Sequence, residues 1–273
     1  MRKQADLCQK VLKKAKYIEK IVNGLSNDNY FVITKHNEKL VVRIAKFDPL
    51  LDRNCEHDIV KAIAPFNIDV PCIYFDKTSG DKITIFQEGY HLDKYKKNDL
   101  KKVALLIKKF HSLKLKCTRD FKSLEKLNSY YEKLTKKPFP LSKYSNLISK
   151  YQNYLEKDEK ILCHNDIVKG NLLFTKEKLF LIDYEYAAMN SPMFDLVSFI
   201  SENDIEDKES INYFLETYYQ KVINDEIMQK FMTFYCFLDL LWGMWALAKY
   251  QESSEQIYYD IYLTKINRLD KNI

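Results

Sequence analysis

Apolar residues recur at helical spacing from about residue 3 to 22, and the run stops at Asn23-Gly24, a pair suited to capping a helix C-terminus. The next stretch, "LSNDNYFVITKHNEKLVVRIAK", holds two β-rich runs about a polar four-residue turn and predicts a hairpin. A helix over 53–64, a strand over 72–76, the turn "KTSGD" and a strand "KITIFQ" follow, so residues 1–88 read as an α+β unit. From Asp99 onward the period is mostly helical, through "DLKKVALLIKKFHSL", "FKSLEKLNSYYEKL" and a third amphipathic stretch up to Glu156. One stretch departs from it. "ILCHNDIVKGNLLF", residues 161–174, sets His164, Asp166 and Asn171 between two apolar runs, and "NLLFTKEKLFLIDYE" predicts a second hairpin before helices resume. Residues 89–273 thus form a larger, mostly helical part. Its run Phe234–Ala248 is apolar, but it contains Asp239 and falls short of the ~20 residues that cross a bilayer, so it predicts a buried helix and no membrane span.

Composition limits the classes of function. A chain of 273 residues with 46% apolar residues can bury a large core. The net charge of +6 comes from interspersed signs, without the dense basic block that tracks a nucleic acid, so no nucleic-acid partner is expected. The six cysteines form no C-x-x-C pair, and the basic N-terminus lacks the continuous apolar core of a signal peptide. Reduced thiols and a cytoplasmic location fit both observations. Arginine is scarce, with five residues against 39 lysines, so each arginine invites a search for what its planar fork holds. Nothing in the sequence bears on oligomeric state.

The spacing H-x-D-x-x-x-x-N of His164, Asp166 and Asn171 is the one that phosphoryl-transfer enzymes of the protein-kinase-like type use. There an Asp accepts the proton of the attacking hydroxyl, and an Asn five residues on binds Mg²⁺. The predicted hairpin returns at "LFLIDYE", bringing Asp183 back beside Asn171, and one amide oxygen, one carboxylate and the nucleotide phosphates are enough for that cation. Glu185, two residues on, points to the same side if the strand continues, toward the metal or the acceptor. The bland alternative is a buried loop whose polar side chains only satisfy its backbone. A Cys163–His164 nucleophile is disfavoured because neighbours on a strand face opposite ways.

The N-terminal part should then bind the nucleotide. "LVVRIAK" places Arg43 in an otherwise apolar strand and Glu56 on the following helix, where protein kinases pair a strand Lys with a helix Glu. The alternative is an ordinary charge at a sheet edge. A Gly-rich phosphate loop is absent; "NGLSNDNYF" stands in its place, with Ser26 and Asn27 able to meet phosphate.

These residues resemble the choline/ethanolamine kinase family, a branch of the aminoglycoside-phosphotransferase and protein-kinase-like superfamily, with bacterial choline kinases nearest. The likeness spans nearly the whole chain, through "GLSNDNY", "VVRI", "HNDIVKGNLL", "IDYEYAAMNSPMFDL" and "LWGMWAL" in the family's order. It implies a two-lobed fold, with a β-rich nucleotide-binding lobe over 1–88 and a helical catalytic and acceptor-binding lobe over 89–273. It further implies Asp166 as catalytic base, Asn171 and Asp183 as Mg²⁺ ligands, and Arg43 with Glu56 as the phosphate-ordering pair. Ser26 and Asn27 would line the phosphate loop, and the backbone of Gln87 and Glu88 would meet adenine. His164 and Asp195 would brace the catalytic loop.

For the acceptor the resemblance implies a cationic amino alcohol, choline foremost, with ethanolamine, thiamine or an aminoglycoside as rivals and an inactive binding module as the non-enzymatic alternative. A quaternary ammonium donates no hydrogen bond, so aromatic faces and carboxylates recognise it. Trp242 and Trp245, the only tryptophans, share a helix face at i,i+3 and match the family's cage walls, with Tyr262 as a further wall and Glu185 and Glu202 as carboxylates. Read without the family, two tryptophans at this spacing form a core stripe. Two positions depart from the family pattern: Lys169 replaces a proline usual in bacterial members, and Tyr184, expected at the acceptor pocket, stands where Trp or Phe is common.

Overall fold

The computed structural model describes residues 7–21, 27–48 and 51–273. Helix α1 (Leu7–Lys14) is followed directly by strand β1 (Tyr17–Ile21), so the single helix expected over 3–22 is corrected to a short helix and a strand. The reason is positional. β1 is the edge of its sheet and is almost wholly exposed, so "YIEKI" carries no burial alternation to distinguish it from a helix. The cap expected at Asn23-Gly24 lies outside the described residues.

The expected hairpin forms from β2 (Asn27–Ile33) and β3 (Lys39–Ala45), with Tyr30 opposite Val42 and Asn29 opposite Arg43. With β4 (Cys72–Phe75) and β5 (Lys82–Ile85) they complete an antiparallel sheet in the order β1-β2-β3-β5-β4. One face packs Val32, Leu40, Val42 and Ile83 on Cys8, Val11 and Leu12 of α1. Helix α2 (Arg53–Ile63) starts at an Asp52 cap, whose side chain accepts from the Cys55 amide. Its apolar residues Cys55, Ile59, Val60 and Ile63 join the core of the helical part, so α2 ties the sheet to the helical body.

That larger part contains α3 (Lys97–Ser112), α4 (Ser123–Glu132) and α5 (Ser145–Lys157). Four short strands come next: β6 (Ile161–Cys163), β7 (Leu172–Phe174), β8 (Leu179–Leu181) and β9 (Ala188–Asn190). β7 and β8 form the second expected hairpin, Leu172 opposite Leu181. β9 falls where the sequence pattern suggests helix. It pairs with β6, Cys163 opposite Ala188, and three residues are too few to display a strand period. Helices α6 (Pro192–Glu202), α7 (Lys208–Tyr219), α8 (Asp225–Ser253) and α9 (Gln256–Asn272) complete the body.

α8 is 29 residues long and meets the length and composition of a membrane span, but it packs against α4, α5, α6 and α9 inside the protein. Gly243 admits α9 closely: a Cβ there would lie 3.1 Å from Ile266 Cδ1. Asp239, fully buried in the apolar run, accepts from Arg268 of α9 at Nε (2.8 Å) and Nη2 (2.5 Å). Removing one partner of such a pair strands the other charge in the core. Asp239→Ala is therefore expected to lower stability by about 3–5 kcal/mol in urea denaturation, with Asp239→Leu/Arg268→Met recovering most of the loss. A double variant as unstable as the single would rule out the stranded charge as the cause.

Candidate active site

β6 delivers the chain into the loop 164–171, and a turn of left-handed backbone at Asn165 (φ 65°) starts it. Asn adopts this conformation at less cost than most residues, and its side chain fixes the turn. The Asn165 amide donates to the carbonyls of Cys163 (3.2 Å) and Tyr186 (3.1 Å), and its oxygen accepts from Asn190 Nδ2 (2.8 Å). Asp195, fully buried in the first turn of α6, accepts from the backbone amides of His164 (2.7 Å) and Asn165 (2.6 Å) and is bonded to His111 Nε2 (2.9 Å). The Ile167 amide donates to Ser198 Oγ at 3.0 Å. His164 donates through Nε2 to the Ile182 carbonyl (3.0 Å), tying the loop to the segment that carries Asp183; burial lowers the pKa of this histidine.

Asn171 donates its side-chain amide to the Asp166 carbonyl (2.9 Å) and Oδ2 (3.0 Å), which leaves its oxygen Oδ1 for another partner. The Ile182 amide bonds the Asn171 carbonyl at 2.9 Å, so the hairpin returns Asp183 beside Asn171. Burial, followed by the charges of Asp183 and Glu185, pushes the Asp166 carboxyl up to about 8. Oxygen donors that crowd carboxylates together and leave Asp183 partly exposed suit a hard divalent cation.

Arg43, buried in β3, meets Glu56 at 2.7 Å and Asp183 at 3.1 Å, while its Nε and Nη2 donate to the Gly80 carbonyl at 3.1 and 2.7 Å. Gly80 has φ 83°, and a Cβ there would lie 2.5 Å from Arg53 Nε, so the turn needs glycine twice over. Arg53, which the motif reading passes over, bonds Glu56 (2.8 Å), Glu185 (3.1 Å) and the Asn27 oxygen (3.3 Å). Its scarcity among the lysines could have flagged it, as it did Arg43. The Asn27 amide donates to Glu185 at 2.9 Å. The strand does not continue to Glu185, as the pattern supposed; a turn carries this carboxylate to the sheet side. Burial and then Asp183 raise its pKa. Ser26 lies outside the described residues. Gln87 is half-buried and Glu88 exposed, between the bond of the Phe86 amide to Lys39 and the bridge from Tyr90 to Phe174.

Tyr186, the chain neighbour of Glu185, belongs to an aromatic group. Trp242 and Trp245 meet edge to face at 6.2 Å, and Trp242 has Tyr186 and Phe121 each at 6.5 Å. Tyr258 packs edge-on against Trp245 at 5.6 Å, and Tyr262 has its ring beside Tyr259 at 5.8 Å. Tyr184 points into the core against Phe110 and His164, not toward the tryptophans as expected of a residue at the acceptor pocket, and it is Tyr186 that meets Trp242. Glu202 is engaged by Lys265 at 2.6 Å. Lys169 is exposed and pairs with Asp93. The helix pattern gave no sign of Lys265, His111 or Ser198, whose partners come from distant segments.

A five-stranded sheet joined to a helical body, with a loop of this spacing braced from below, defines a phosphotransferase of the protein-kinase-like class. The family model of the choline/ethanolamine kinases matches residues 18–270, and the chain belongs to that family of ATP-dependent kinases. It is 28% identical to an uncharacterized protein of Mycoplasma pneumoniae over 188 residues, 68% of this chain and 64% of that protein. It is 26% identical to the protein LicA of Haemophilus influenzae over 249 residues, 84% of this chain and 72% of LicA. The solved choline kinase LicA of Streptococcus pneumoniae superposes with a TM-score of 0.80 at 21% identity, covering 96% of this chain and 97% of that one.

The buried charges give a pH signature. Burial pushes the Glu56 carboxyl up, but Arg43, Lys82 and Arg53 outweigh it and hold the group at about 2 against an ordinary 4.5. Because the folded value is the depressed one, the stabilisation is complete above about pH 4.5 and is lost as pH falls toward 2. It amounts to about 3 kcal/mol. Glu56→Gln should be less stable than wild type at pH 7, and the gap should narrow between pH 4.5 and 2 in urea denaturation. A gap independent of pH would refute the assignment.

Proposed function

We propose that the chain transfers the γ-phosphoryl group of ATP to the hydroxyl of choline, in the presence of Mg²⁺. The observation carrying this reading is that Asn165, the neighbour of Asp166, donates to the carbonyl of Tyr186, whose ring belongs to the aromatic group around Trp242. A cationic alcohol with its head on the rings would bring its hydroxyl toward Asp166, which as the carboxylate accepts the proton while the bond from that oxygen to the γ-phosphorus forms and the bond from the γ-phosphorus to ADP breaks. The Asn171 oxygen and the Asp183 carboxylate would hold Mg²⁺, which when bound neutralises charge on the phosphates. Arg43, aimed by Glu56 and Gly80, would order the phosphates once it yields its contact with Asp183. Asn27 borders the same space, and the backbone of Gln87 and Glu88 would take adenine. Positioning and charge neutralisation supply most of the catalysis in this chemistry.

Choline is favoured over ethanolamine by the state of the carboxylates. A primary ammonium needs hydrogen-bond acceptors, yet Glu185 is engaged by Arg53 and Asn27, and Glu202 by Lys265. A trimethylammonium head asks only for faces, which the rings provide.

Coupled ADP release with choline, ethanolamine, thiamine and an aminoglycoside is expected to give choline the highest kcat/KM. Preference for another acceptor would reject the choline reading. Asp166→Ala and Asp183→Ala should each abolish turnover with unchanged circular dichroism, and normal turnover in either would reject the mechanism. Trp242→Ala should raise the choline KM by roughly thirtyfold, the loss of about 2 kcal/mol of desolvated cation–π attraction, with the KM for ATP unchanged. An unaltered choline KM would remove the cage.

A further inference from the structure

The aromatic group already holds a cation of the protein's own. The ammonium of Lys126, from α4, sits 5.3 Å from the centroid of the Phe121 ring and 6.0 Å from that of Tyr186. Those are the two rings that flank Trp242, each at 6.5 Å. Among the described residues the ammonium of Lys126 makes no ion pair or hydrogen bond. Its neighbour Lys122, by contrast, pairs with Glu125 at 3.1 Å. Lys126 and Phe121 also line a cavity of about 550 Å³, which gives the side chain somewhere to go. An ammonium held by π-faces alone makes the contact that a quaternary ammonium would make.

We propose that Lys126 is an internal cation seated on the faces that receive the acceptor's head, and that it must give way before a cationic acceptor binds. It thereby sets acceptor affinity without touching the reacting atoms. This inference rests on the reading of the acceptor as choline. Burial, followed by the charge of Arg119, lowers the Lys126 pKa to about 8; Asp48 opposes the shift, and Lys133 adds to it. Asp52, Asp120, Lys122 and Glu125 line the same cavity, the hydroxyls of Tyr130 and Tyr186 are pushed up by burial and stay protonated, and Asp166, pushed up to about 8, titrates over the same range, so the neutral Lys126 variants carry the test. As pH rises through 8 the ammonium loses its charge and its hold on the rings. If only that form admits the acceptor, affinity scales with its fraction, and the choline KM falls roughly tenfold between pH 7 and pH 9. Choline carries a fixed charge, so it cannot itself supply that dependence.

The experiment compares choline KM and kcat at pH 7 and pH 9 in the wild-type protein, Lys126→Ala, Lys126→Gln and Lys126→Arg, with thermal melting to confirm that each is folded. Lys126→Ala and Lys126→Gln are expected to show at pH 7 the low KM that the wild type reaches only at pH 9. Lys126→Arg should keep a high KM at both values, and the KM for ATP should not move in any of them. A choline KM that the neutral variants leave unchanged would overturn the proposal. So would a raised KM, which would make Lys126 a contact of the acceptor or of an anionic group on it. Failure of the wild type to release ADP with choline at either pH would instead sink the choline reading, an outcome distinct from normal turnover that is indifferent to Lys126.

Discussion

Charge burial is the constraint around which this structure is arranged. Glu56, Asp183 and Glu185 converge where the sheet meets the helical body, and two arginines from different elements, Arg43 and Arg53, bridge them. Carboxylates out of water are tolerable only when each is paired and hydrogen-bonded, so the register of β3, the start of α2 and the return of the β7–β8 hairpin are all fixed by one cluster. Lysine could not do the same work. A point charge serves one acceptor well, whereas the Arg43 fork serves a carbonyl and two carboxylates at once. Two of the chain's five arginines stand at this one place.

Beneath that cluster the catalytic loop is held in another way. Asp195 takes two consecutive loop amides and a histidine from α3, and Asn165 ties the turn to three carbonyls. These bonds leave Asp166 and the Asn171 oxygen facing outward while the backbone behind them has no freedom to follow. The result is a firm floor under the cluster in which Arg43 holds Asp183.

The sequence is legible where chemistry is local. The spacing of Asp166 and Asn171, the hairpin that returns Asp183, and the pairing of Arg43 with Glu56 all follow from short motifs and strand-helix order. Arg53 escaped because it lies outside any motif, and Tyr186 because the alternation expected after Asp183 is broken by the positive φ of that residue, which turns Tyr184 inward. β1 and β9 escaped for lack of a period: one is an exposed edge, the other has three residues. Tyr262 illustrates a further limit. Tyr258, Tyr259 and Tyr262 all lie on one helix, and only the docking angle of α9 decides which ring reaches Trp245.

The Asp239–Arg268 pair also bears on the order of assembly. α8 is apolar along most of its length, and its one buried carboxylate obtains its cation only from α9, which is made later. During synthesis the helix emerges with that carboxylate unanswered and its Ile266-facing groove open. The face carrying Trp242 and Trp245 therefore reaches its final geometry only once α9 has docked.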